Sequence, residues 1–298
     1  MTALALDIGG TKFAAATVGS DGRPVDPRTE PTPTSDVWPT CQRLLTDVVS
    51  AAGLQSSDIS TIGIGAAGPV DSVAGTVGPI NIAEWYDGFP IVEAVSEMFP
   101  SADITLALDG ACIALAEQRF GAARGAPNLI GMTVSTGIGG GLILGGDIVR
   151  GAGGNAGHIG HVVVPGSAEP CTCGGVGCLE TVASGPNAVR WAKDQGWEGA
   201  DGIALSRSAA EGDAVAVAAL QRAGTAIGQV LAGTAALLDI PLAVLGGGFA
   251  QAGPALWDPI HSAVAAHAGL SFLADFTVVP AQLGGFGTLA GAAALTAQ

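Results

Sequence analysis

The chain has 298 residues, 48% apolar and 12% charged, which is enough apolar material for one large or two medium domains with a buried core. Its formal net charge is −15 and Lys12 and Lys193 are its only lysines, which argues against a surface that grips a nucleic-acid backbone. Any phosphate has to be held locally, by backbone N–H groups, a helix N-terminus or a metal.

Taken in chain order, Leu4 to Asp7 and Phe13 to Val18 read as strands joined by the tight turn Ile8-Gly9-Gly10-Thr11-Lys12. Helical spacing follows from Trp38 to Ala52, then a buried strand from Ser60 to Ile64. The strand Asp103 to Leu108 runs into a helix from Ala111 to Phe120, so Asp109 stands at the carboxyl end of a strand, where α/β sheets place functional groups. A second cycle begins with the strand Leu129 to Val134, the glycine turn Ser135 to Gly141 and the strand Leu142 to Leu144. Both cycles start strand, glycine turn, strand, which predicts a duplicated architecture with two facing phosphate loops. Helical patterns fill most of Asn187 to Leu238; a strand at Leu242 to Leu245, the run Gly246 to Gly248, a helix near Pro254 to Ala266, a strand at Thr277 to Pro280 and a terminal helix from about Gly287 complete the chain.

The N-terminus has no basic region before its apolar residues and no cleavage-like site, so no signal peptide is expected. The apolar stretch Ala223 to Leu238 is short and interrupted by glycines and Gln229, so no membrane insertion is expected either. Of the five cysteines, Cys41 and Cys112 lie far from the other three; no disulfide framework is visible and a reducing cytoplasm is the expected compartment.

The richest segment runs from Asn155 to Glu180. Cys171, Cys173 and Cys178 crowd into eight residues with Gly-Gly-x-Gly between the last two, and glycines let the backbone fold back around an ion. With His161 as fourth ligand they read as a tetrahedral zinc site with no open position, hence structural; a disulfide loop is the plainer alternative. Several glycine runs compete as a phosphate cradle. No Gly-x4-Gly-Lys-Ser/Thr loop occurs, and Gly63-Ile-Gly65-Ala-Ala-Gly68 fits the dinucleotide fingerprint but is followed by Pro69 rather than an amphipathic helix. In the turn after Asp7, by contrast, Gly9 and Gly10 expose N–H groups, Thr11 and Lys12 add donors, and Asp7 can hold hydrated Mg²⁺.

Asp7-Ile-Gly-Gly-Thr-Lys12, Gly63-Ile-Gly-Ala-Ala-Gly-Pro69-Val-Asp71, Asp109 opening a helix, Ser135-Thr-Gly-Ile-Gly-Gly-Gly141, Gly157-x-Ile-Gly-His161, the Cys171 to Glu180 run and Leu245-Gly-Gly-Gly248 stand in an order and spacing that resembles the ROK family of sugar kinases and sugar-responsive repressors. The resemblance spans nearly the whole chain. It implies an actin-like (ribonuclease H-like) α/β fold of two domains around a cleft: a smaller one at 1–108 joined by the returning 282–298, and a larger one at 109–281 carrying the zinc loop. It implies ATP-dependent phosphorylation of a hexose or N-acetylhexosamine at the 6-hydroxyl, with Mg²⁺ and structural Zn²⁺, in a cytoplasmic homodimer whose partners are sugar and ATP.

Carried over residue by residue, Asp109 is the catalytic base, although an aspartate there is also a natural helix N-cap. The sugar is held by Gly68, Asn81, Asp109, His158, His161 and Glu180. The nucleotide is held by Asp7, Gly9, Gly10, Thr11, Lys12, Thr136, Gly137, Gly139, Gly140, Gly247 and Gly248, and the zinc by His161, Cys171, Cys173 and Cys178. Two positions depart from the family pattern. Leu108 replaces the asparagine that precedes the base, and His158 replaces the glutamate of glucokinase-like members, a change that resembles N-acetylmannosamine kinases. The other class of function is a non-catalytic sugar sensor; the intact phosphate turns and Asp109 argue against it, and with the first strand at residue 4 no DNA-binding helix-turn-helix is expected.

Overall fold

The structure, a computed structural model, describes residues 2–297; Met1 and Gln298, the outer ends of the smaller domain expected from sequence, lie outside them. The elements are β1 (Thr2–Ile8), β2 (Lys12–Val18), β3 (Pro24–Pro31), α1 (Val37–Ala51), β4 (Ile59–Ala66), β5 (Val70–Asp71), β6 (Thr76–Val77), α2 (Ile91–Met98), β7 (Asp103–Leu108) and α3 (Asp109–Phe120) in the first cycle. The second contains β8 (Leu129–Val134), β9 (Ile138–Leu144), β10 (Asp147–Ile148), α4 (Leu179–Ala183), α5 (Gly185–Asp194), α6 (Gly202–Ala210), α7 (Ala214–Leu238), β11 (Leu242–Gly246), α8 (Pro254–His267), β12 (Thr277–Pro280) and α9 (Gly287–Leu295).

The duplication is visible in the sheets, whose orders are β3-β2-β1-β4-β7 and β10-β9-β8-β11-β12. In each, a hairpin supplies three antiparallel strands and two parallel strands are added beside its first strand. The side chains of β8 alternate with period two: Ile130, Met132 and Val134 enter the core beneath α4 to α8, while Leu129 joins the core around the first sheet. Helices α3 and α9 pack on each other; α9 also lies against β1 and β4, and α3 against β8 and β9.

Several elements differ from expectation, among them the edge strand β3, which the sequence reading lacks. The glycine turn is shorter than Ser135 to Gly141, because Gly139, Gly140 and Gly141 are strand residues of β9. The reason is antiparallel pairing with β8, Gly139 to Thr133, Gly140 to Met132 and Gly141 to Gly131, and α3 lies so close over this ladder that a Cβ on Gly141 would overlap Ala111 Cα while Gly110 faces Gly140 O from the helix side. Helix α3 begins at Asp109 itself, two residues earlier than its apolar pattern indicates. Finally, α7 has 25 residues, so the reading of its apolar run as too short to span is corrected; by length and composition the helix would suffice. It carries Arg222, and its apolar face is buried against α4, α5, α6 and α8.

Gly141→Ala should cost about 1–3 kcal/mol of stability, since the backbone of α3 has to move. Gly233→Ala, mid-helix on the exposed side of α7 with nothing near a built Cβ, should gain about 0.5–1 kcal/mol. Thermal or denaturant unfolding of the two variants checks the pair, and equal effects would refute the close-approach account.

Candidate active site and metal centre

The carboxyl ends of β1, β4 and β7 converge because these strands are parallel and in register, with Asp7 beside Gly65 and Gly65 beside Ala107. That brings Asp7, at the end of β1, close to Asp109, the first residue of α3. Asp7 is 7% exposed; burial, then the charge of Asp109, push its carboxyl up to about 7 against the pull of Lys12. Burial likewise raises Asp109 to about 6, opposed by the Gly110 N–H that donates to Oδ1 at 2.6 Å. A pair of acids whose ionisation is resisted is a frequent companion of proton-transfer chemistry.

Asp109 borders a cleft of roughly 690 Å³ between the two sheets. Gly10, Thr11 and Lys12 line one wall, and Ser135, Thr136, Gly137 and Gly139 face them, so the two glycine turns meet across it. Thr32 braces the first turn, donating Oγ1 to Gly9 O at 2.8 Å and N–H to Thr11 O at 3.1 Å. Gly246, Gly247 and Gly248 continue the wall, with Gly247 at φ 96° packed on the Val134 backbone. Three residues expected at the nucleotide stand behind it: Asp7 beneath the first turn, Gly9 within the turn, and Gly140 buried between Ile159 and Gly131.

At the other end of the cleft Gly68, Asn81, Leu108, His158, His161 and Glu180 come together. A Cβ on Gly68 would stand 2.7 Å from Leu108 Cδ1 and 2.8 Å from the His158 ring, so only glycine lets these two side chains close one wall. The Asn81 amide lies over Gly10, where any Cβ would collide with it. Glu180 spends one oxygen on the Ile138 N–H at 2.8 Å and keeps the other. Burial, then His161, hold the His158 imidazole below its ordinary range, hence neutral.

The metal cluster assembles as expected: the ligand atoms of His161, Cys171, Cys173 and Cys178 all lie within 4.8 Å of one another. Cys173 Sγ and Cys178 Sγ are 3.7 Å apart, and Cys171 Sγ is 3.9 Å from His161 Nδ1. A tetrahedral zinc with Zn–S of ~2.3 Å spaces its sulfurs by about 3.8 Å, so the donor set fits that ion and not a disulfide. Burial and the neighbouring sulfurs push the Cys178 thiol up to about 12, a penalty that a bound cation removes. The loop closes through Cys171 N–H to Gly175 O at 2.8 Å and Gly177 N–H to Glu169 O at 2.8 Å, with Gly174 and Gly177 at positive φ. Because Nδ1 faces the sulfurs, His161 keeps Nε2 for the cleft.

Two residues of the site were missed in the sequence. Asn155 donates Nδ2 to Val70 O at 2.6 Å and accepts the Val70 N–H at 2.9 Å; its Oδ1 is also 3.3 Å from His158 Nε2. That fixed amide makes His158 Nε2 the donor and leaves Nδ1 as an acceptor. Glu117 lines the cleft two turns beyond Asp109, and Asp109, Ile113 and Glu117 form an i, i+4, i+8 ridge along it. A second acid two turns after Asp109, following a run of apolar residues on the same helix, is the signal that could have found it.

A family model described as the ROK family matches residues 3–298. The chain is a member of the ROK family. It is 33% identical over 248 residues to an N-acetylmannosamine kinase of Escherichia fergusonii, covering 83% of each chain. It superimposes on the ROK hexokinase from Thermus thermophilus with a TM-score of 0.87 and 33% identity, over 100% of this chain and 98% of the other. A ROK glucokinase from Streptomyces griseus, solved with glucose and AMPPNP, matches over 100% of both chains with a TM-score of 0.82 and 32% identity. The fold is the actin-like α/β fold of these ROK sugar kinases.

Protein purified without chelator should contain one zinc per chain by elemental analysis. Cys173→Ser should lose it, whereas Cys41→Ser and Cys112→Ser should not, since these two cysteines are buried elsewhere. Full zinc content in Cys173→Ser would remove the assignment.

Proposed function

We propose that this ROK-family chain is an ATP-dependent sugar kinase that phosphorylates a hexose or N-acetylhexosamine at its 6-hydroxyl, N-acetylmannosamine before glucose. The observation that carries the reading is Asp109, half-buried at the junction of the cleft with two glycine turns on one side and His158, His161 and Glu180 on the other. In this reading the sugar lies against the histidine side. His161 Nε2, the free Glu180 oxygen and the Asn81 amide bond its hydroxyls. Asp109 takes the proton of the attacking hydroxyl, that oxygen bonds to the γ-phosphorus, and the bond from γ-phosphorus to the bridging oxygen breaks, releasing ADP.

The phosphates face the backbone N–H groups of Gly10, Thr11, Thr136 and Gly137, with Lys12 as the local cation. Asp7 would hold Mg²⁺, which fits a buried carboxylate whose cationic neighbour among the described residues is Lys12 and would supply charge neutralisation at the phosphates. Zinc would be structural, held by four protein ligands. The domain division follows: 1–108 with the returning 282–298, whose helix α9 packs on β1 and β4, and 109–281 with the metal loop.

Asp109→Asn should keep the fold and sugar binding and lower kcat by about two to four decades. The base works ionised, and burial raises its carboxyl to about 6 and that of Asp7 to about 7, so parental kcat/KM should fall as the pH drops through about 7 to 6, where Asp7 and then Asp109 take up protons. Parental activity within a few-fold in Asp109→Asn would remove the base.

The preference for an N-acetylated sugar rests on Leu108 and on the neutral imidazole of His158, which replace two polar groups of glucokinase-like relatives. An apolar Leu108 leaves a glucose hydroxyl unpaired, at about 1–3 kcal/mol or ~10-fold or more in specificity. In a sugar panel read by ADP release, N-acetylmannosamine should have the higher kcat/KM. Leu108→Asn with His158→Glu should raise the value for glucose. A parent that prefers glucose and is impaired by the double substitution would overturn the reading.

A further inference from the structure

Glu117 is 2% exposed and has no ion-pair partner among the described residues. Its carboxylate is satisfied by backbone alone. Oε2 accepts the Ala122 N–H at 2.8 Å, Oε1 accepts the Leu283 N–H at 3.0 Å, and the Gln282 N–H is shared between them at 3.0 and 3.2 Å. Two of these donors lie more than a hundred and sixty residues away, on the segment between β12 and α9.

That segment is a wall of the nucleotide end of the cleft. Pro280, Ala281, Gly284, Gly285, Gly287 and Thr288 line it, and Ala281 N–H donates to Leu245 O at 2.9 Å, which seats it beside the Gly246 to Gly248 run. It also holds the phosphate lysine: Lys12 Nζ donates to Gly285 O at 3.0 Å and stands 4.9 Å from the Phe286 ring centroid. Helix α3 therefore carries Asp109 at one end and, through Glu117, fixes the segment that places Lys12.

We propose that Glu117 is a positioning residue that sets the register of the 280–288 wall and of Lys12 relative to Asp109, so that it governs capture of the nucleotide and not of the sugar. The proposal rests on the kinase reading above. Glutamine at 117 keeps the shape but has one acceptor oxygen where the carboxylate has two, and its amide N–H₂ faces a backbone donor. One of the tethers, to Ala122 or to Gln282 and Leu283, is then lost.

The test uses the full chain. In Glu117→Gln, the KM for ATP and the Kd for a non-hydrolysable ATP analogue should rise about tenfold, the net worth of roughly one hydrogen bond to a charged acceptor. The KM for sugar should stay within about twofold and the acid limb at about pH 7 to 6 should not move, because Asp7 and Asp109 are untouched. Hydrogen exchange at the Gln282 and Leu283 amides should accelerate. Glu117→Asp, which retains both oxygens on a shorter stem, should bind the analogue with a Kd between those of the parent and Glu117→Gln, and it serves as the reporter if the glutamine variant does not fold. Unchanged analogue binding in both variants, or a lowered melting temperature with both KM values unchanged, would overturn the proposal alone. A parent that binds no ATP analogue would overturn the kinase reading as well.

Discussion

Both halves of this two-sheet protein hold Asp109 at once, through the approach of α3 to its neighbours, and the proposed role of a general base between a sugar and a triphosphate depends on that constraint. Gly110 on the helix faces Gly140, Gly131 faces Ala114, and Gly291 of α9 faces the backbone of Cys112. Wherever a side chain would push the elements apart, hydrogen stands in its place. The helix therefore sits against backbone on two sides, and its first residue is located by packing instead of by a loop. A carboxylate so placed keeps its geometry without help from solvent, which is what proton transfer at a fixed distance needs.

The same burial creates an electrostatic problem. Asp7 and Asp109 are both desolvated, and each ionisation makes the other harder. A nucleotide adds more negative charge to a protein that already carries a net −15. Long-range attraction cannot draw it in, so the donors have to be short-ranged: backbone N–H groups in the two glycine turns and one lysine. In the structure that lysine is already occupied by the Gly285 carbonyl and the Phe286 ring, so capture of a phosphate has to compete with a contact inside the protein.

Much of this was legible in the sequence. The duplicated strand-turn-strand start, the position of Asp109 after a strand, the two glycine turns and the four-residue cluster all depend on local chain chemistry, which is written in consecutive residues. What failed depends on distant partners. The glycines at 139–141 look like a turn, because the sequence does not say that they pair with β8 and that a helix lies close on them; that pairing makes them strand, and the closeness of α3 explains why they are glycines. The edge strand β3 was missed since Pro24, Pro27 and Pro31 oppose a strand reading, although prolines are tolerated at an edge where N–H groups face away from the ladder. Asn155 and Glu117 were missed for the same reason as the glycines: their partners, Val70 and Gln282, are far along the chain.

The two ends of the cleft are built from different materials, and this limits how each can change. The nucleotide end is mostly backbone, shaped by glycines at Gly10, Gly137, Gly247 and Gly248, so a side chain added there alters the surface and the packing behind it together. The sugar end is mostly side chains: Asn81, Leu108, His158, His161 and Glu180 stand on a frame fixed by the metal cluster and by Asn155. Leu108 and His158 both close on Gly68, so exchanging them rewrites one wall, with the Glu180 bond to Ile138 on a different side chain. If the proposed function holds, a fold arranged in this way can redirect its choice of sugar by a few side-chain replacements, whereas changing the phosphoryl donor would require remaking the glycine contacts that locate Asp109.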